Sequence, residues 1–360
     1  MSIQSLTTNY FRNLAYANIK FDRQLNFIIG NNGSGKSSLL ESIFFLGHGK
    51  SFRTSKTDNL IANGQDNFVV SVKDDRGFQL GVKRSKGQQL EIKINGDSKF
   101  RLSDLAKNIA VQVITPETFR LFFGGPKERR RFIDLGMFHV EHSFSEMWRH
   151  FRKVLLHRNA CLKNRISGQQ FDYWNQQFCL YSEQIAQARS KYVGELAAEV
   201  QQWLTILLPS LNDEIQLQYH QGWNSKRNLA ELLHDNADKE RAYGHSLFGA
   251  HKFDVRFNYQ KMNIEQTLSR GQQKLFLMAL TIAQANLIFK QQQVSPIILI
   301  DDIGAELDIH SRQALANAIA QLDCQLFITA IDQSALDPLM TEHKNYQMFH
   351  VEHGVVKSDS

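Results

Sequence analysis

Three short segments in the first third of the chain alternate between apolar and polar residues. They are residues 68–73, 78–84 and 89–94. Alternation with a period of two puts successive side chains on opposite faces of a strand, and glycine-containing turns separate the segments. The pattern predicts an antiparallel meander, and residues 111–114 predict a further short strand.

Longer segments in the middle of the chain carry apolar residues at the helical spacing of three and four. One lies at residues 148–162, and a second lies at residues 174–207 and ends just before Pro209. This spacing predicts two amphipathic helices. They can pair along a narrow seam as a short arm that projects from an α/β body, or they can coat that body. The periodicity is compatible with both arrangements.

Strand-like segments return after Pro209. Residues 215–219 and 253–259 are strand-like, and residues 297–300 form an apolar run that ends at Asp301 and Asp302. Such a run predicts a buried strand of a parallel sheet. Carboxylates at its end indicate a metal site, with Asp301 in the shell of a Mg²⁺ ion and Asp302 placed to polarise a water molecule. An acidic surface turn is the alternative.

A glycine-rich loop near the amino terminus is the most specific local motif. It consists of Gly30, Asn31, Asn32, Gly33, Ser34, Gly35, Lys36 and Ser37. Apolar residues 27–29 precede it and a helix-compatible segment follows from Ser38, which is the strand-to-helix setting of a phosphate-binding loop. Its amides and the helix start favour an anion. We expect a nucleoside triphosphate here, with Lys36 on its outer phosphates and Ser37 on Mg²⁺. A flexible turn is the alternative.

The composition is that of an ordinary globular protein. The chain has 360 residues, 42% of them apolar, which is enough to build about two domains. Its apolar runs are too short to cross a bilayer, and its first residues lack the pattern of a signal peptide, so we expect no membrane association and a cytoplasmic location. The three cysteines are far apart and are expected to be reduced thiols.

Positive charge is concentrated in one part of the chain. The net charge is only +6, but residues 126–170 contain ten Lys/Arg against four Asp/Glu. A basic stripe attracts a phosphate backbone, and a solvated helix face is the alternative. Because no base-reading motif accompanies the stripe, we expect DNA contacts without sequence specificity. The candidate DNA-binding residues are Arg129, Arg130, Arg131, Arg149, Arg152 and Lys153.

The order of the motifs resembles that of ATP-binding-cassette (ABC) ATPases. After the phosphate loop come a signature-like segment at residues 269–272, a Walker B strand that ends at Asp301, and a D-loop at Ala305-Glu306-Leu307-Asp308. The large insertion between the two half-sites is similar to the DNA-repair branch of that class, and within it to the RecF family. The segments that carry this likeness are Phe11-Arg12-Asn13, residues 47–53, residues 114–117, residues 124–134, residues 249–252 and residues 267–272.

The resemblance implies a fold and a domain arrangement. The expected fold class is α/β: an ABC-ATPase-type phosphate-loop head with an antiparallel β subdomain, plus an inserted and mainly helical arm lobe. Residues 1–124 and 211–360 would form the two halves of the head, and residues 125–210 would form the arm.

The resemblance also implies residue roles. Gln112 would sense the γ-phosphate and Mg²⁺, and Arg12 and Asn13 would lie at the nucleotide. The segment Ser269, Gly271 and Gln272 would face the ATP of a second protomer, because two half-sites that meet across an isologous interface complete both sites at once.

Two positions depart from the pattern of the transporter ATPases. Asp302 stands where those proteins usually have glutamate, whose longer side chain reaches the attacking water more readily, so slow hydrolysis is expected. Thr329 stands where a histidine is common, and its hydroxyl can position a water molecule but cannot take up a proton at neutral pH.

The function implied by the resemblance is an ATP-dependent DNA-binding protein of recombinational repair and replication. ATP would close a homodimer that clamps gapped or duplex DNA, and weak, Mg²⁺-dependent, DNA-stimulated hydrolysis would release it. RecR and RecO would be partners in RecA loading and the SOS response. Two rivals stay open: a nucleotide-dependent protein scaffold without direct DNA contact, and a transporter ATPase subunit.

Overall fold

The computed structural model describes residues 2–98, 104–105, 108–119, 124–141, 143–292, 295–303, 307–343 and 345–358. The strands in these ranges are β1 (Ile3–Phe11), β2 (Leu14–Lys20), β3 (Leu25–Ile29), β4 (Asn67–Asp74), β5 (Gln79–Ser85), β6 (Glu91–Ile94), β7 (Asp97–Ser98), β8 (Val111–Ile114), β9 (Ile215–His220), β10 (Asp254–Tyr259), β11 (Met262–Asn263), β12 (Ile297–Ile300), β13 (Gln325–Ala330), β14 (Gln347–Glu352) and β15 (Val355–Ser358). The α-helices are α1 (Lys36–His48), α2 (Pro126–Val140), α3 (Phe144–Lys163), α4 (Gln169–Leu207), α5 (Leu229–Asp235), α6 (Ala237–Tyr243), α7 (Ile264–Thr267), α8 (Arg270–Gln292), α9 (Ile309–Ile319) and α10 (Asp337–Glu342).

The chain forms two compact units. The first comprises Met1–Phe119, Gln202–Ser210 and Ser269–Ser360, and the second comprises Arg120–Gln201 and Leu211–Leu268. None of the helices that the structure describes is both long and apolar enough to cross a lipid bilayer.

Two six-stranded sheets make up the framework of the first unit. One is mixed, with strand order β15-β14-β3-β13-β12-β8, in which every pair is parallel except the edge pair of β14 and β15. The other is antiparallel, with strand order β2-β1-β4-β5-β6-β7. Strands β4, β5 and β6 are the predicted meander, and β1 and β2 extend it beyond what the alternation predicted.

Helix α1 lies between these two sheets. It packs against β1, β4 and β5 on one side and against β8 and β13 on the other. Phe45 of α1 meets Phe11 and Phe68 edge to face, with ring centroids 6.3 and 5.3 Å away. Burial of each such ring stabilises the fold by about 1.5–3 kcal/mol. The helix that follows the phosphate loop is therefore fixed at the centre of the core.

The second unit combines helices α2, α3, α5, α6 and α7 and most of α4 with a small sheet of order β11-β10-β9. Two arginines are buried inside it. Arg158 donates to Glu240 at 2.6 Å, and Arg189 donates to Asp134 at 2.8 Å while its guanidinium lies 3.7 Å from the centroid of the Phe253 ring. The partners of these arginines lie on several helices and beside β10, so the ion pairs hold the helices and the small sheet together.

The division of the chain differs from the predicted domain boundary. Leu211–Leu268 belong to the second unit, whereas they were predicted to lie in the head. The reason is tertiary: β10 packs on α2, and Glu240 of α6 receives the buried Arg158 of α3. The lobe expected to be mainly helical therefore contains a sheet as well. The predicted long helices correspond to α3 and α4.

Candidate functional site

Three glycines shape the loop between β3 and α1. Gly33 and Gly35 have φ values of 78° and 123°, a region that residues with a Cβ atom rarely adopt. At Gly30 an added Cβ would lie 2.3 Å from the carbonyl oxygen of Val351. The strand is fully buried and the helix starts at Lys36, so the loop turns its amides around the helix N-terminus, which is an anion-binding arrangement.

A cavity of about 670 Å³ opens beside this loop. Its volume lies within the range of sites that hold small-molecule ligands. The predicted residues Arg12, Asn13, Asn31, Asn32, Gly33, Ser34, Gly35, Lys36, Ser37 and Ser38 line it. The cavity is also lined by residues for which the sequence predicted no role: Arg53, Asn59, Ile61, Ala62 and Asn63. For Arg53 the signal was present, because it ends one of the segments that resemble the RecF family.

The ammonium group of Lys36 is folded back onto the loop. Its Nζ donates to the carbonyl oxygens of Gly30 and Asn31, the latter at 3.1 Å. The pKa of Lys36 is lowered, because the effect of burial exceeds the opposing effect of the nearby negative charges of Asp301 and Asp302. Two backbone acceptors thus hold the cation at the mouth of the cradle, where a phosphate can replace them.

The acidic end of β12 lies next to the phosphate loop, as predicted. Ser37 Oγ donates to Asp301 Oδ1 at 3.1 Å, and Thr329 Oγ1 donates to the same carboxylate oxygen at 2.8 Å. The Thr329 hydroxyl accepts from the amide of Asp302 at 2.8 Å. Parallel pairing of β13 with both β3 and β12 brings these ends together. The Thr329 hydroxyl therefore holds the Asp301 carboxylate and the backbone of Asp302.

Asp302 has an unusual conformation. Its φ is 57°, in the left-handed region, and its Oδ1 is buried without a hydrogen-bond partner among the described residues. A buried carboxylate oxygen without a donor is costly, which indicates that a ligand or water molecule completes it. The hydroxyl of Ser37 and the carboxylate of Asp301 are oxygen donors of the type that Mg²⁺ prefers, so they fit the predicted metal role.

Gln112 lies on the predicted short strand, β8, but away from the carboxylates at the end of β12. The register of β8 and β12 sets Gln112 opposite Ile298, three positions before Asp301 and about 10 Å along the strand. The amide of Asp301 donates to the carbonyl of Ile114 at 2.8 Å, so the residue level with the carboxylates is Thr115, directly after β8. We therefore revise the predicted sensing and metal role of Gln112, because a residue inside the strand does not reach its carboxyl end.

Arg12 and Asn13 contact the loop region through different partners. The Arg12 guanidinium makes two 2.9 Å hydrogen bonds to the buried carboxylate of Glu41 on α1. Asn13 Nδ2 donates to the carbonyl of Ser34 at 3.2 Å. Ser51 also donates to Glu41, and its hydroxyl accepts from the amide of Arg53 at 2.9 Å. Glu41 thereby ties the two segments that carry Arg12 and Arg53 to the cavity rim.

The signature segment forms the start of α8. The Ser269 amide donates to Gln272 Oε1 at 2.9 Å, and the Gln272 amide donates to Ser269 Oγ at 3.3 Å, which is a reciprocal capping box. Ser269 is exposed. Ser269, Gly271 and Gln272 are not among the described residues that line the cavity of their own chain. Of the predicted D-loop, Ala305 and Glu306 lie outside the described residues.

The predicted DNA-binding residues divide into two groups. Arg129 makes a two-point ion pair with Asp254, at 2.9 and 2.8 Å, and Arg130 donates to the carbonyl of Phe253 at 3.2 Å. These contacts join α2 to β10, so we revise the expectation that Arg129 is free for DNA. The exposed members are Arg131, Arg149, Arg152 and Lys153.

A glycine cradle on a mixed sheet, a carboxylate pair on a neighbouring strand, an antiparallel sheet and an inserted lobe define an ABC-ATPase-type head. The chain matches the family described as RecF/RecN/SMC N terminal domain over residues 2–357. It is 55% identical to the DNA replication and repair protein RecF of Colwellia psychrerythraea, with 98% of this chain and 97% of that protein covered. It is 39% identical to the protein of that name from Shewanella loihica, with 99% of each covered. The chain belongs to the RecF family.

Solved structures share the fold. A structure of the recombination mediator protein RecF with ATP in the RecFOR pathway superposes with a TM-score of 0.85 at 21% identity, and it covers 100% of this chain and 98% of that chain. An Smc head bound to the C-winged helix domain of ScpA superposes with a TM-score of 0.59 at 17% identity, with 100% and 97% covered. The architecture of this chain is thus that of RecF and Smc heads.

Proposed function

We propose that this protein is an ATP-dependent DNA-binding protein of replication and recombinational repair, in which bound ATP joins two copies around DNA. The observation that carries the proposal is the contact between Ser37 of the phosphate loop and Asp301 at the end of β12. It unites a triphosphate cradle and an acidic pair that are 264 residues apart in sequence. The names of the relatives supply the biological setting.

ATP binding rests on the cradle residues. The loop amides and the start of α1 receive the phosphate oxygens, and Lys36 exchanges its two carbonyl partners for them. Ser37 and Asp301 would hold Mg²⁺, which neutralises the charge of the phosphates when it is bound. Arg53 is an exposed cation on the rim of the same cavity, whereas the charge of Arg12 is balanced by Glu41. Arg53 is therefore the better candidate for a direct phosphate contact.

Hydrolysis requires a base for the attacking water. The unpartnered Oδ1 of Asp302 is the available acceptor in the described part of the site, and Thr329 holds the backbone of Asp302 in place. Aspartate reaches less far than glutamate, which supports a low turnover rate. Slow turnover suits a protein whose nucleotide sets how long it remains on DNA.

Dimerisation follows from the position of the signature segment. Ser269 is an exposed helix cap, and the described cavity residues of the same chain do not include it. A second copy that presents Ser269, Gly271 and Gln272 to the triphosphate completes the anion site, and two-fold symmetry completes both sites together. ATP then acts as part of the interface.

The DNA and partner assignments rest on charge and on the relatives. Arg131, Arg149, Arg152 and Lys153 offer cations to a phosphate backbone without base-reading contacts. The RecF of known structure is a recombination mediator protein of the RecFOR pathway. By that relationship we propose RecO and RecR as partners, RecA loading as the outcome, and stimulation of hydrolysis by DNA.

Sedimentation of the purified protein tests the proposal. We expect a monomer without nucleotide or with ADP, and a dimer with ATP that also carries a gapped duplex. Lys36→Ala should abolish both changes, because it removes the cation that binds the outer phosphates. A normal ATP-dependent dimer of this variant would disprove the role of ATP in the interface. A dimer that forms with ATP but binds no DNA would favour the scaffold function, and co-purification with membranes would favour a transporter subunit.

A further inference from the structure

The outer face of the antiparallel sheet in the first unit carries a lysine-rich hollow. Its inner face packs on the core, with Val70, Val72, Leu80 and Val82 fully or almost fully buried. On the opposite face a hollow of about 560 Å³ lies across β1, β4, β5 and β6. The phosphate-loop cavity and this hollow are lined by different residues, so the nucleotide site does not explain it.

The strand register arranges this face in three rows that run across the sheet. The first row contains Lys20, Ser5, Lys73 and Gln79, the second contains Asn18, Thr7, Ser71, Gly81 and Lys93, and the third contains Tyr16, Asn9, Val69, Lys83 and Glu91. Strand geometry separates neighbouring rows by about 7 Å and neighbouring strands by about 4.8 Å.

Among the residues of these three described rows, four are lysines and one, Glu91, is a carboxylate. Glu91 pairs with Lys83 at 3.6 Å, which leaves Lys20, Lys73 and Lys93 without an acidic partner in these rows. Lys20, Lys73 and Lys93 are exposed. A sheet surface that only needs to stay soluble usually mixes both signs, so this excess of one sign favours an anionic partner.

Small residues form the base of the hollow. Ser5, Thr7, Ser71 and Gly81 have small side chains, and they lie between the lysines. The strand does not need glycine at position 81, because a Cβ atom added there would lie at an ordinary contact distance of 3.5 Å from the Cβ of Ser71. A glycine that the strand does not need is typical of places where another backbone approaches closely.

The shape and chemistry favour duplex DNA over other polyanions. The four lysines span about 14 Å along the strands, and across the sheet Lys73 lies two strands, or about 10 Å, from Lys20 on one side and from Lys93 on the other. These spacings are comparable to the roughly 12 Å width of the major groove and so to the spacing of phosphates on either side of it. Hydroxyl and amide groups on the floor can donate to phosphate oxygens. A single strand would instead need aromatic platforms, and Tyr16 at the edge is the one aromatic residue in these rows.

We propose that the outer face of the antiparallel sheet is a second DNA-contacting surface, on which Lys20, Lys73, Lys83 and Lys93 bind the backbone of duplex DNA. The inference rests on the proposed DNA-binding function and adds a surface on the head to the exposed cations of α2 and α3. DNA held here lies on the unit that binds ATP.

Lysine footprinting of the wild-type protein with ATP tests the surface directly. A duplex should protect Lys20, Lys73 and Lys93 from acetylation by an activated ester, as read by mass spectrometry, while the exposed Lys226 and Lys239 remain reactive. Poly-glutamate serves as the second probe. Protection by poly-glutamate without protection by the duplex would overturn the proposal in favour of an acidic protein partner.

A charge-matched pair of variants tests the contribution to binding. The triple change Lys20→Gln, Lys73→Gln and Lys93→Gln should lower duplex affinity about tenfold at 0.1 M salt and reduce the salt slope by two to three. The control Lys191→Gln, Lys226→Gln and Lys239→Gln removes the same charge elsewhere and should change neither value. ATP affinity should be unaltered in both variants.

The outcomes separate this inference from the proposed function. If the sheet variant behaves like its control and its lysines stay reactive, the second surface is disproved while DNA binding by the protein stands. If the wild-type protein shows no salt-dependent DNA binding with ATP, the proposed function fails and this inference fails with it.

Discussion

Arg12 and Glu41 form a two-point ion pair in which the carboxylate is completely buried and the guanidinium is 23% exposed. Arg12 precedes the phosphate loop in sequence, and Glu41 lies in the helix that follows the loop. The pair therefore braces both flanks of the cradle. Because Glu41 also accepts from Ser51, a single carboxylate organises three segments of the cavity rim.

Changing Glu41 to Gln should destabilise the protein by about 1–3 kcal/mol, because Arg12 loses its ionic partner while remaining half-buried. ATP affinity should fall as well, since Arg12 and Arg53 lose their common support. Thermal melting and titration with a fluorescent ATP analogue measure the two effects. Glu195→Gln, which removes an exposed partner of Lys191, is the control and should shift the melting temperature little. Equal effects of the two substitutions would contradict the bracing role.

Ser269→Arg should leave ATP binding by the monomer intact and block ATP-dependent dimerisation. The exposed cap presents its hydroxyl outward, and a long cation there obstructs a partner's triphosphate site. Ser225→Arg introduces the same side chain in an exposed loop of the second unit and should dimerise normally. A normal sedimentation shift for the Ser269 variant would refute the assignment of the signature segment to the opposite protomer.

Asp302→Asn should reduce ATP hydrolysis by about 10²–10⁴-fold, the usual cost of losing a general base, while the ATP-bound dimer persists. The side chain keeps its size but loses the charge that accepts a proton. Steady-state phosphate release and sedimentation measure the two properties. Unchanged turnover would exclude Asp302 as the base.

Thr329→Val should cost about 1–3 kcal/mol of stability and lower turnover, because Asp301 loses a donor and the Asp302 amide loses its acceptor. Thr329→Ser retains the hydroxyl and should recover most of both. If the valine and serine variants behave alike, the hydroxyl does not position the carboxylates.

The triple change Arg149→Gln, Arg152→Gln and Lys153→Gln should weaken DNA binding and flatten its salt dependence, because three phosphate contacts are lost. Arg129→Ala should lower stability by about 2 kcal/mol, since Asp254 is left unpaired, and should leave the salt slope unchanged. Binding isotherms across a salt series distinguish the two. If only Arg129→Ala changes the salt slope, Arg129 contacts DNA and the three residues of α3 do not.

Stability should decrease below neutral pH because of one buried histidine, His139, and one partly buried histidine, His251. Burial lowers the pKa of His139 to about 4 and, as the largest cause, lowers that of His251 to about 4 as well. An unfolded histidine titrates near pH 6.5, so between these values the unfolded chain binds protons that the folded chain does not. The free energy of unfolding is therefore undiminished above pH 6.5. It falls as the pH falls towards 4, by about 2 kcal/mol for each histidine at pH 5.

Urea unfolding at pH 7.5 and pH 5 measures this loss. His251→Gln should reduce the difference between the two pH values, and His234→Gln at an exposed position should not. A pH dependence that is identical in all three proteins would show that His251 is not its source.

The local sequence determines part of the structure of this protein. The glycines of the loop between residues 29 and 36 encode their own turn, and the apolar run at Ile297–Ile300 encodes a buried strand, because period and backbone freedom act over a few residues. The triphosphate cradle, the meander, the long helices and the adjacency of Asp301 to the loop were therefore predictable, the last through the order of the motifs.

Only tertiary packing decided the rest, because pairing between distant segments depends on which surfaces meet. The ion pair of Arg129 with Asp254 and the membership of residues 211–268 in the second unit have no local signal. The strand register sets Gln112 opposite Ile298, so Gln112 lies three positions away from the carboxylates. The lysine face on the antiparallel sheet likewise exists only because strand pairing aligns residues from four separate strands.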